Sequence, residues 1–148
     1  MKDPQKKRVY AWESEWFDWN RSNLTLKECR TAVKWACKHY GLPPPQVRQH
    51  HTQHHTSCTT GPKKSVISFR TDQKNAAAAL HEVAHYICDK IFGFKMESHG
   101  AHWMGIYLWL LEGARIAPRT ALHASAKARR IKWVQTWLVS PKRLGRGR

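Results

Sequence analysis

No acidic residue follows Glu112, although ten Lys and Arg lie between Arg115 and Arg148. Across the chain only 10 Asp and Glu face 26 Lys and Arg, for a formal net charge of +16. Charge this one-sided is expected to draw a polyanion such as nucleic acid, without sequence preference, through counterion release at each phosphate. The plainer alternative is a solvated face that keeps a small protein dispersed. Cysteine is also sparse: Cys29, Cys37, Cys58 and Cys88 include no Cys-Xaa-Xaa-Cys pair, which excludes a zinc ribbon. Such scattered thiols are expected to be reduced and mostly buried, as in a cytoplasmic protein. No run approaches the about eighteen apolar residues of a membrane span, and Met1 to Arg8 lacks the apolar segment of a signal peptide. The expectation is a protein with no membrane partner. Its 148 residues, 41% of them hydrophobic, suit one domain around a modest core.

What is present is organised around His81-Glu82-Val83-Ala84-His85. Residues four apart on a helix differ by about 40° around the axis, so His81 and His85 leave one face together and can grip one metal ion. Glu82 stands beside that ion without binding it, placed to take a proton from a water made acidic by zinc. The context is helical: Asn75 is a suitable N-cap, Ala76 to Ala79 are strong helix formers, and Gly93 is a suitable stop. The spacing predicts an amphipathic helix over 76–92, with Leu80, Ala84, Ile87 and Ile91 as its apolar stripe.

A catalytic zinc keeps about three protein ligands and an open position, so a third donor is needed. Ser98-His99-Gly100-Ala101-His102-Trp103 offers two candidates, His99 and His102, at the start of a further helix. The pairing of His-Glu-Xaa-Xaa-His with this later His-Gly-Xaa-Xaa-aromatic resembles the SprT-like zinc metallopeptidases. It is more closely similar to small metallohydrolases of actinobacteria and their phages. By position, the resemblance implies His81, His85 and His99 as zinc ligands, Glu82 as general base and Trp103 as a packing aromatic. It is strongest over 64–112 and extends more loosely back to Val9-Tyr10-Ala11-Trp12-Glu13, which reads like that family's opening strand.

The other segments read as scaffold. Residues 1–8 suit a flexible basic arm, and Trp12, Trp16, Phe17 and Trp19 suit one end of a core or a binding platform. Thr25 and Glu28 form a capping box for a helix that Gly41 and Pro43-Pro44-Pro45 end. Val47 to Thr56 and Ser65 to Phe69, with a turn at Thr60-Gly61-Pro62-Lys63, suggest a hairpin whose free edge could take an extended peptide. His50, His51, His54 and His55 raise a second metal site, although strand alternation would send neighbours to opposite faces. Pro118 opens a helix from Arg119 to about Arg130, and Ile131 to Val139 alternates like a strand.

The expected architecture is α+β: a zincin-like single domain over 9–139, with a small sheet or hairpin, the metal helix and a second ligand helix, then a basic tail over 140–148. The expected function is zinc-dependent hydrolysis of peptide bonds. Tyr86, His102 and Tyr107 are candidates to stabilise the oxyanion, and nucleic-acid-associated proteins are candidate substrates through the tail. The rival reading is a basic nucleic-acid-binding protein with a structural zinc. Such a site wants a fourth protein ligand and gives Glu82 no task.

Overall fold

A computed structural model of the chain describes residues 3–51 and 55–145. Among these residues it is a small α+β domain with five helices and one three-stranded sheet. The helices are α1 (Lys6–Trp16), α2 (Leu26–His39), α3 (Ala76–Phe92), α4 (Ala101–Gly113) and α5 (Arg119–Ala128). The strands are β1 (Gln46–His50), β2 (Ser57–Thr59) and β3 (Val66–Arg70), in the order β1-β3-β2. No helix among the described residues is long and apolar enough to cross a membrane.

Helix α3 lies at the centre, against α2, α4 and β2. Its ends follow from local chemistry. The Asn75 side chain accepts from the Ala78 N–H at 2.9 Å, and Gly93 turns the chain away at φ 84°, a conformation that costs a Cβ-bearing residue. The helix is not amphipathic as its stripe predicts: Ala77 to Ala84 are all buried, and so are Tyr86, Ile87 and Cys88. Helices flank it on two sides and the sheet on a third, so the alanines serve close approach rather than an exposed face. Helix α2 opens with the expected capping box, Thr25 Oγ1 accepting from the Glu28 N–H at 3.1 Å and Glu28 Oε1 from the Thr25 N–H at 3.0 Å. A cap of this kind stabilises a helix by about 1 kcal/mol.

Four expectations about the scaffold change. Val9 to Trp12 is helical, not a strand. Val9, Trp12 and Glu13 are buried and Trp16 packs against the core, the three- and four-residue spacing of one helix face. Of the arm expected over residues 1–8, Lys6 to Arg8 belong to α1. Gln5 clasps the backbone of Lys132 through two 3.0 Å hydrogen bonds, and Met1 and Lys2 lie outside the described residues.

The expected hairpin is displaced by one strand. The turn around Gly61 joins β2, not β1, to β3, in antiparallel register with Ser57 opposite Ser68 and Thr59 opposite Val66. Strand β1 instead runs parallel along the other edge of β3, Val47 opposite Ile67 and Gln49 opposite Phe69.

The segment 131–139 forms no strand, because no sheet edge reaches it. It crosses α4 at Gly105, where an added Cβ would stand 2.5 Å from the Val134 carbonyl oxygen and 2.9 Å from Val139 Cγ2. Val134 N–H donates to the Ala101 carbonyl, and the buried Tyr40 hydroxyl donates to the Val139 carbonyl at 2.8 Å. Trp12 and Trp16 both donate to Ser125 Oγ at 2.8 Å and so tie α1 to α5.

Candidate metal centre and its supports

Helices α3 and α4 bring three imidazoles to one point. His81 and His85 face the same way from consecutive turns of α3, and His99 enters from the residues just before α4. His81 Nε2 lies 3.2 Å from His85 Nε2 and 3.3 Å from His99 Nε2, and all three ligand atoms fall within 4.8 Å of one another. Two nitrogens each about 2.0–2.1 Å from a tetrahedral zinc stand about 3.3–3.4 Å apart, so both shorter separations match an edge of that tetrahedron. His102 is not part of the group: its ring packs on Phe92 with centroids 4.8 Å apart. Among the described residues no other such group occurs; His50, His51 and His55 form none, and His54 lies outside them.

The imidazoles are oriented from behind by carboxylates that α1 and the residues before it supply. His81 Nδ1 meets Glu13 Oε2 at 2.9 Å, and His99 Nδ1 meets Asp3 Oδ2 at 2.6 Å. Asp3 also accepts from the His99 backbone N–H at 3.3 Å. A carboxylate only accepts, so each Nδ1 donates, and a neutral ring then turns the lone pair of Nε2 inward. Lone pairs converging at 3.2–3.3 Å repel one another unless a cation lies between them. The donor set therefore fits a borderline-soft divalent ion such as zinc.

Electrostatics within this buried group are uneven. Burial disfavours the charged form of His81, yet the carboxylates of Glu13, Glu82 and Asp3 together outweigh it and raise the imidazole above its ordinary value. His85 is held well below its ordinary value by burial and then by His81 and His99, and His99 is lowered by burial and His81 against the pull of Asp3. Glu82 is 5% exposed. Burial pushes its carboxyl up to about 7, with His81 lowering it and Glu13 raising it. A buried carboxyl held close to neutrality is suited to accept and return a proton.

A cleft of about 570 Å³ opens onto the group, bordered by Tyr10 and Trp19 near α1, by Ser57 and Cys58 on β2, and by Phe94 and Met96 after α3. The Tyr10 ring lies 5.2 Å from that of His99 and is 44% exposed, so its hydroxyl is the phenol left on the cleft. Burial, then Glu82, Glu13 and Asp3, push its pKa up to about 12. The three groups expected from sequence to stabilise an oxyanion are engaged elsewhere. Tyr107 donates to Glu13 Oε2 at 2.7 Å, Tyr86 to the Pro43 carbonyl at 2.5 Å, and His102 packs on Phe92. Asp3, Glu13 and Tyr10 escape a reading by spacing, since they lie 96, 68 and 71 residues from the ligands they approach, His99, His81 and His81. The one signal for Glu13 is its place on the Val9, Trp12, Trp16 face.

All four cysteines are free thiols, Cys29, Cys37 and Cys88 buried and Cys58 partly so. The acid-free segment is partly neutralised from upstream, Arg129 pairing with Glu15 and Arg119 with Glu112 at 3.9 Å, while Lys142 and Arg143 are exposed. No protein-family model matches the chain, and neither the curated proteins nor the solved structures compared with it give a match.

Proposed function

We propose that this protein is a zinc-dependent hydrolase of peptide bonds, with a zincin-like arrangement of sheet, metal helix and second ligand helix. The observation that carries the reading is the convergence of three imidazoles, with His81 Nε2 at 3.2 Å from His85 Nε2 and 3.3 Å from His99 Nε2, each close to an edge of a zinc tetrahedron, and the buried Glu82 next in sequence to His81. Zinc held there would supply the Lewis acidity that makes a water nucleophilic near neutral pH and polarises a carbonyl. Glu82 accepts the proton of the attacking water on its carboxylate and returns it to the departing amine nitrogen. Asp3 and Glu13 hold the His99 and His81 rings in register. Tyr10 offers its hydroxyl to the carbonyl oxygen as charge develops there.

Strand β2 supports a peptide as the substrate. It is an edge strand, and Ser57 and Cys58 border the cleft, so an extended chain can add backbone hydrogen bonds beside the imidazoles without side-chain selection. The exposed Lys142 and Arg143, with the net charge of +16, support proteins bound to nucleic acid as the targets. Four protein donors would favour a structural site; three donors with a buried carboxylate alongside favour a catalytic one. The test compares the zinc-loaded protein with Glu82→Gln, using casein and basic DNA-bound proteins as substrates. The variant should keep its zinc and lose turnover, and unchanged hydrolysis would remove Glu82 from the mechanism.

A further inference from the structure

The cleft is charged oppositely to the chain that surrounds it. Among the described residues no Lys or Arg borders it, whereas Glu13, Glu82 and Asp89 all do. Glu13 is occupied by His81 and Tyr107, and Glu82 is the proton acceptor of the proposed reaction. Asp89 has no comparable task. It lies on α3 four residues beyond His85, hence on nearly the same side of the helix and about 6 Å farther along its axis. It is half-buried, which raises its carboxyl above the ordinary value, while a hydrogen bond from the Thr60 hydroxyl lowers it. Among the described residues no Lys, Arg or His forms an ion pair with it. Phe94, 60% exposed, and Met96 give the same cleft an apolar wall.

A cationic side chain with a long apolar stem matches this combination of unpaired carboxylate and apolar wall. We propose that Asp89 forms the subsite for a lysine or arginine side chain of the peptide substrate. An extended peptide rises about 3.3 Å per residue, so the 6 Å offset along α3 corresponds to about two residues from the bond cleaved. The proposal rests on the peptidase reading for its substrate class but not for its charge selectivity. A carboxylate that merely fastens the Thr60 loop would instead affect all substrates alike.

The experiment uses peptides identical except for Lys, norleucine or Glu at a single position two residues from the scissile bond. Cleavage is read as kcat/KM on the zinc-loaded protein, and binding by fluorescence anisotropy on zinc-loaded Glu82→Gln. The Lys peptide should exceed norleucine about tenfold in both readouts, and Glu should be poorest. Asp89→Asn should bring Lys down to the norleucine level and leave norleucine unchanged. Asp89→Glu should restore the preference for Lys. Equal loss for all three peptides in Asp89→Asn, or no distinction between Lys and norleucine by the intact cleft, overturns the subsite. Charge-selective binding without cleavage would retain the subsite and remove the peptidase reading; cleavage without charge selection would do the reverse.

Discussion

Two regions build the same centre, and they do so in opposite ways. The segment from Ala76 to Gly113 supplies every imidazole of the group and the buried Glu82 from two helices and the short turn between them. The segment from Asp3 to Trp19 supplies the carboxylates behind those imidazoles and the aromatic rings beside them, at separations of 68 and 96 residues. Ligands packed on one helix can be spaced by the helix itself. Their orientation cannot be set from the same helix, because Nδ1 points away from the metal into whatever packs behind. An element distant in sequence must therefore carry the second set of groups, and here it is α1 with the residues just before it.

Breaking the nearer set should have the larger effect. His85→Ala removes a donor and leaves two, so stoichiometric zinc should be lost in elemental analysis while His102→Ala retains it. Retention in His85→Ala, or loss in His102→Ala, would show that a different trio binds. Glu13→Gln tests the farther set. It leaves the three donors in place but replaces the carboxylate that accepts from His81 and Tyr107. Zinc affinity in a competition titration should fall about 10–100-fold. If α1 were only packing, this variant would melt earlier yet bind zinc as before.

Asp3→Asn should weaken zinc less, by about tenfold, because Asp3 is more exposed than Glu13 and its backbone contact to His99 can survive in the amide. The smallest effect is expected for Tyr107→Phe, which deletes one of the two donors to Glu13. Stability should fall by about 1 kcal/mol in urea denaturation, with zinc retained. A loss of zinc in Tyr107→Phe as large as in Glu13→Gln would make the phenol a necessary part of the support.

The same contrast explains what could be read from the sequence. Helix α3 runs over 76–92 as its cap, alanines and Gly93 predict, and the capping box at Thr25 and Glu28 forms, because both are settled within a few residues. His99 is brought to His81 and His85, with ligand atoms of all three within 4.8 Å of one another. Segment α1 defeats that kind of reading. Val9, Tyr10 and Trp12 favour a strand by type, and Glu13 looks like a solvent position until Tyr107 and His81 are known to surround it. The sheet is only half legible. The turn at Gly61 does make a hairpin, but the choice between β1 and β2 as its first arm depends on contacts with α2 and α3. Ile131 to Val139 alternates without forming a strand, since alternation creates a strand only where a partner edge is free.

If His81, His85 and His99 hold zinc, one position is left for water. X-ray absorption at the zinc edge of the loaded protein addresses it directly, because nitrogen, oxygen and sulfur neighbours differ in distance and scattering. Three imidazole nitrogens and one further oxygen at about 2.0–2.1 Å are predicted, with imidazole outer-shell features lost in proportion when His99→Ala is measured. A sulfur neighbour at about 2.3 Å, which Cys58 on the cleft wall could supply, or a fourth protein ligand closing the site, would contradict it.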